Sequence, residues 1–165
     1  MGGIVRHVGT TTTQTTASPT SYISAGAFLP TSTNGATAGS FETLTNKSNC
    51  DYFEFASGSA ISINVPFIAE KISYNVKIHW TNAEIVGTGN VGFFVESATI
   101  SNNTAIDTAY SPAVIIDDTL ITSDTLHITE PTAITLGLGL NILRVTRNAG
   151  DTYTQNIRVL GIELT

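Results

Sequence analysis

Ten residues constrain this chain more than any others: Ile72 to Thr81 reads Ile-Ser-Tyr-Asn-Val-Lys-Ile-His-Trp-Thr. Apolar Ile72, Tyr74, Val76, Ile78 and Trp80 alternate with polar Ser73, Asn75, Lys77, His79 and Thr81. Successive strand side chains point to opposite faces, so this run predicts a strand with one buried face and one wet face. Its apolar set is β-branched and aromatic, which suits a pleated surface.

The rest of the chain is consistent with that strand being one of many. Charged residues make up 12 % of the 165, about half the usual share of roughly 25 %. Thr, Ser, Asn and Gly take their place. Long exposed helices need Glu, Lys and Arg, so the shortage argues for an all-β protein. Further strands are predicted at Cys50–Phe55, Ala60–Val65 (with Pro66 ending it or marking an edge), Val91–Ile100, Ala113–Ile116, Thr125–Thr129, Ala133–Leu136 and Asn141–Arg147. A long closing strand is predicted over Thr152–Leu164, with Leu160, Ile162 and Leu164 inward. Thr31–Ser40 reads as a loop, and no helix is predicted. This spacing indicates a two-sheet antiparallel jelly-roll sandwich over 21–165. An immunoglobulin-type sandwich is the runner-up, without the Cys-Trp-Cys pattern that would support it.

Residues 1–20 are expected to form an extended N-terminal arm. Gly9–Thr20 is a Thr-rich, low-complexity stretch with too little apolar surface to offset its ordering entropy. Ile4 and Val5 flank it as candidate assembly residues, able to add a strand to another chain.

The net charge of -6 works against binding a phosphate backbone, which requires clustered Lys and Arg. With Cys50 as the single cysteine, an internal disulfide or a cysteine-built zinc site is excluded. There is no signal-peptide core, no myristoylation pattern and no apolar run near the ~20 residues of a membrane helix. The expectation is a protein made in, and kept in, the producing cell's cytoplasm unless something larger carries it out.

Several stretches carry a resemblance. A strong strand ends in Trp80, followed by Gly89-Asn90-Val91-Gly92-Phe93, the Asp107–Tyr110 segment and Asp124-Thr125-Leu126-His127-Ile128. The chain then closes on Leu143–Asp151 and Val159–Leu164, and Tyr22–Leu29 and Thr33-Asn34-Gly35 add to the pattern. Over about residues 20 to 165 the text resembles small tailed-phage virion structural proteins. The resemblance implies a jelly roll used as a capsid decoration, head fibre or tail-associated module, and no catalytic residues.

Catalytic chemistry finds little footing. His7, His79 and His127 lie on separate segments without ligand spacing, so surface or hydrogen-bonded roles are expected, and no metal. Asp117, Asp118, Asp124 and Glu130 lack the spaced calcium-loop pattern and read as a solvated loop. Cys50 beside Asp51 is a poor thiolate and reads as a core or boundary residue. No nucleophile elbow, phosphate loop or Rossmann fingerprint occurs, and no cofactor is implied. Among the aromatics that could offer a sugar platform (Trp80, Tyr52, Tyr74, Tyr110 and Tyr153), Trp80 and Tyr74 share the apolar phase and read as core. Tyr110 and Tyr153, near loops, are the favoured sugar-binding candidates.

The leading expectation is therefore a non-enzymatic virion structural protein: a capsid decoration, cement or head-fibre jelly roll. It would assemble as a symmetric oligomer, a trimer by preference, bound to the major capsid protein or other virion proteins through its arm. The alternative, from a different class, is a carbohydrate- or receptor-binding module of a tail or fibre that reads a host surface glycan. A hydrolase is the third reading and has no support in the residues.

Overall fold

The computed structural model describes residues 20–40, 50–82, 88–103, 105–119 and 125–165. The arm residues Ile4 and Val5, together with His7 and Asp124, lie outside the described residues. The strands are β1 (Ser21–Ser24), β2 (Leu29–Pro30), β3 (Thr37–Ser40), β4 (Asp51–Phe55), β5 (Ser62–Ala69) and β6 (Ser73–Asn82). They continue with β7 (Asn90–Ile100), β8 (Val114–Thr119), β9 (His127–Ile128), β10 (Thr132–Thr135), β11 (Gly139–Arg147) and β12 (Ile157–Leu164). The described residues hold no α-helix, only a 3-10 turn at Ala25–Ala27.

These strands form two antiparallel sheets packed as a jelly-roll sandwich. In sheet A, β12 is central and pairs along one edge with β6. Its other edge is shared by β4, at Ile157–Val159, and β1, at Gly161–Leu164. The far edge of β6 is shared by β9 and β10, and β3 lies outside β4. Sheet B runs β2-β5-β11-β7-β8.

The core is what the alternation demanded. Tyr74, Val76, Ile78 and Trp80 of β6 and Ile157, Val159, Ile162 and Leu164 of β12 face Ile63, Val65, Val91, Phe93, Val95, Leu143 and Val145 of sheet B. Burying each large apolar side chain stabilises the fold by about 1.5–3 kcal/mol. Phe94 and Glu96 take the opposite face of β7 from Phe93 and Val95, as predicted.

Several expectations need correction. Ile72 falls in the turn before β6 and is 62 % exposed. Leu160 is not inward: the ladder shifts register between Val159 and Gly161, a bulge that turns Leu160 out of phase. Thr37–Ser40, read as loop, is a strand paired with β4. Of the two expectations for Pro66, a strand end or an edge, the structure shows the edge, and β5 does not stop there. It continues to Ala69, because β2 covers its outer edge only at Ile63 and Asn64 and leaves Pro66 on an open edge. The last strand begins at Ile157 rather than Thr152, because residues 148–156 wrap around Arg147, whose side chain is wholly buried.

Candidate functional site

The solvent face of sheet A has the alternate phase of the core strands, and cross-strand register sorts its side chains into rows. Lys77, Glu163 and Tyr22 form one row, and His79, Gly161 and Ser24 the next. Thr81, Arg158, Glu54 and Thr37 form a third, with Tyr52 opposite Gly39 beside it.

The two glycines decide where the aromatic rings lie. A Cβ on Gly39 would come within 2.6 Å of Cε2 of Tyr52, and one on Gly161 would run into the hydroxyl end of Tyr22. Each tyrosine therefore lies across a glycine, filling a place where the strand has no side chain of its own. Tyr22 stays 52 % exposed. Its hydroxyl donates to the carbonyl of Leu160 at 3.3 Å, and its ring meets the His79 imidazole edge-on with centroids 5.1 Å apart. Arg158 stacks over Tyr52 with its guanidinium carbon 4.7 Å from the ring centre.

Between the rings the polar groups are held in pairs. Lys77 Nζ donates to Glu163 Oε1 at 2.8 Å, and the other carboxylate oxygen lies 3.2 Å from His79 Nε2. Arg158 Nε donates to Glu54 Oε2 at 3.4 Å, and Asn156 Nδ2 to Glu54 Oε1 at 3.0 Å. Acceptors and donors are thus fixed in direction while the face stays close to neutral. Next to Tyr52, a hollow of about 380 Å³ opens between Gly26, Gly39, Asp51 and Phe53, a volume in the range of small-ligand sites.

Burial, and then the nearby Cys50, raises the Tyr22 hydroxyl above its ordinary 10.0. Burial, and then Asp51, raises the Cys50 thiol. Both groups stay protonated near neutral pH, so Cys50 is not a poised nucleophile. It is exposed, contrary to the core or boundary position expected of it.

The hydrogen bond from Lys77, and less strongly that from His79, holds the Glu163 carboxyl below its ordinary 4.5 against an opposing burial effect. A depressed carboxyl contributes stability that is complete above the unfolded-state value of about 4.3 and is lost as pH falls through the lower folded value. Glu163→Gln should therefore flatten the acid limb of a stability-against-pH curve below about pH 4.5 and leave the limb above it unchanged. Chemical denaturation at stepped pH checks this; an unchanged acid limb would refute the pairing.

The favoured sugar-binding tyrosines do not belong to this face. Tyr153 is 1 % exposed and packs toward Trp80, so its ring cannot meet a sugar. Tyr110 is half-buried over the outer face of sheet B. Its ring covers Arg144 at 4.0 Å, and its hydroxyl donates to Asn64 Oδ1 at 3.2 Å. Trp80 and Tyr74 are core, as expected. His79 is hydrogen-bonded on the polar face. His127, also placed there by its phase, is instead buried and stacked on Trp80. Asp118 is not a solvated loop residue: it lies on β8 and its Oδ2 accepts the Trp80 indole N–H at 2.8 Å. Among the described residues no group of three His, Cys, Asp or Glu could hold a metal ion. Tyr52 was legible as a candidate platform. Tyr22 was not, because its partner Gly161 is remote in sequence and no local pattern announces the contact.

No protein-family model matches the chain, and no curated protein does. Solved structures do. An isomalto-dextranase of Arthrobacter globiformis T6, complexed with panose, aligns at TM-score 0.57 and 22 % identity over 88 % of this chain and 23 % of its own. This chain thus spans under a quarter of that enzyme. A family 35 carbohydrate-binding module of Clostridium thermocellum aligns at TM-score 0.55 and 14 % identity, over 88 % of this chain and 98 % of its own. A family 36 carbohydrate-binding module in complex with calcium and xylotriose aligns at TM-score 0.53 and 13 % identity, over 88 % and 99 %. At such identities the likeness is one of fold.

Proposed function

We propose that this chain is a carbohydrate-binding module without catalysis of its own, and that a polysaccharide lies across the outer face of sheet A. One observation carries the reading: two tyrosine rings, Tyr22 and Tyr52, laid over Gly161 and Gly39 on a face otherwise built of oriented polar pairs. Sugars present apolar C–H faces ringed by hydroxyls. Flat rings meet the first and fixed carboxylates, imidazole and guanidinium meet the second. The fold shared with modules whose descriptions name carbohydrate binding supports this reading over the virion-structural one.

The virion-structural role remains a second reading. It is favoured by a different observation, the exposed apolar residues on the outer face of sheet B, which suit lateral assembly. In that reading the sheet A face is a solvated surface and binds no glycan.

Electrophoresis through gels containing xylan, mannan or dextran separates the two. Retardation is expected in at least one gel, with no reducing ends released. Tyr22→Ala should weaken that retardation roughly tenfold, the worth of one stacked ring. Tyr110→Ala should leave it unchanged. Free migration through a broad polysaccharide panel, or retardation untouched by Tyr22→Ala, would sink the proposal.

A further inference from the structure

The outer face of sheet A continues past the two tyrosines. β9 pairs with the far edge of β6 and sets Ile128 directly opposite His79. His127 turns inward onto Trp80, so its neighbours Leu126 and Ile128 fall on the outer side, where they are 55 % and 47 % exposed. His79 in turn lies opposite Gly161, the place filled by the Tyr22 ring, and meets that ring edge-on. Phe53 pairs with Val159, which brings Tyr52 level with the bulge at Leu160, and Tyr52 faces Gly39 on β3. Ile128, His79, Tyr22 and Tyr52 thus form one track that crosses the sheet from β9 to β3. The Lys77–Glu163 pair borders the track on one side and the Arg158–Glu54 pair on the other.

We propose, resting on the carbohydrate-binding reading, that the glycan runs across the strands along this track, with Ile128 as a contact at its β9 end. The ligand is then a linear, neutral chain, held by an internal stretch rather than by a single sugar. Length follows from the strands crossed. From β9 through β6, β12 and β4 to β3 is four spacings of about 4.8 Å, about 19 Å, which is room for roughly four sugar rings end to end. Direction follows from the ion pairs. Lys77–Glu163 joins β6 to β12 and Arg158–Glu54 joins β12 to β4, so a chain laid along β12 would cross both charged bridges. A chain laid across the strands keeps its apolar C–H faces on Ile128 and the rings, and turns its hydroxyls to the bridges on either side. Charge follows from the same pairs. Each cation beside the track is matched by a carboxylate, so the borders favour hydroxyls over the carboxylate of a uronic acid. Ile128 has the character of a specificity residue, because only a ligand long enough to leave the tyrosines reaches it.

Isothermal titration calorimetry of the full chain against xylo-, manno- and isomalto-oligosaccharides, from disaccharide to hexasaccharide, tests the course of the chain. The expected result is at least one series whose affinity climbs to about the tetrasaccharide and then levels. Ile128→Ser should weaken the tetrasaccharide about five- to tenfold and the disaccharide, which can sit at the tyrosines, under about twofold. Ile72→Ser, exposed in the turn before β6 and off the track, should change neither. Thermal melting confirms that both variants fold, and the wild-type length series stands without them. Affinity that levels at one or two sugars, or a tetrasaccharide indifferent to Ile128→Ser, would overturn the across-strand course and leave the carbohydrate-binding reading standing. No heat from any series would overturn the two together.

Discussion

Arg147→Met is expected to lower the stability of the domain by about 3–5 kcal/mol. At roughly 2–4 °C per kcal/mol for a chain of this size, the melting temperature should fall by about 10 °C. Arg147 is 0 % exposed, and all five of its N–H donors are used. Nε and one terminal nitrogen grip Asp151 at 2.9 and 3.1 Å. The remaining donors reach the carbonyls of Phe55, Gln155 and Tyr153 at 3.0, 2.8 and 2.6 Å. Methionine can fill the volume, but it leaves the Asp151 carboxylate, whose side chain is 2 % exposed, buried without its cation and with only the long Gly92 N–H contact at 3.4 Å, and it takes a donor from each of three carbonyls. The double variant Arg147→Met/Asp151→Leu should recover part of the loss, because the orphaned charge goes with its partner. Urea denaturation measures both. A loss under about 1 kcal/mol for the single variant would show that the guanidinium is not what holds residues 148–156 in place.

The second large effect concerns binding. Replacing both Tyr22 and Tyr52 by Ala should weaken the proposed polysaccharide interaction at least about a hundredfold, two stacked rings at roughly 1.4 kcal/mol each. Neither ring belongs to the core cluster, so the melting temperature should move little. Gly161→Ala offers a subtler probe. Its Cβ would collide with the hydroxyl end of the Tyr22 ring, a flexible end that can swing away. The ring is then displaced while every tyrosine atom is kept, and affinity should fall nearly as far as with Tyr22→Ala. Full affinity in Gly161→Ala would mean that the ring's position over the sheet is irrelevant. Unchanged affinity in the double tyrosine variant would move the site off this face altogether.

The local text of the chain specified much of the frame. Alternation over Ile72–Thr81 predicted β6 to within a residue, and the same period separated Phe93 from Phe94 and put Trp80 in the core. Arg147 was also within reach. It shares the inward phase of Leu143 and Val145, and an aspartate follows four residues later. Read that way, the phase requires a buried guanidinium and a chain that folds back to satisfy it, which is why β12 starts late. The bulge that displaced Leu160 and the strand at Thr37–Ser40 were not legible, because neither has a local signature: each depends on what its neighbour across the ladder presents.

By itself the sequence determined the fold class and the strand interiors, since period-two burial is a property of consecutive residues and needs no partner to be read. The tertiary structure alone decided which tyrosine rings lie open on the face of sheet A. Tyr153, beside a turn in the text, is sealed under Arg147 and Trp80, while Tyr22 finds Gly161 on the far end of the chain. A ring becomes a surface only when the strand beside it leaves a gap, and that gap belongs to another segment. Register between distant strands sets it, and no stretch of chain encodes register alone.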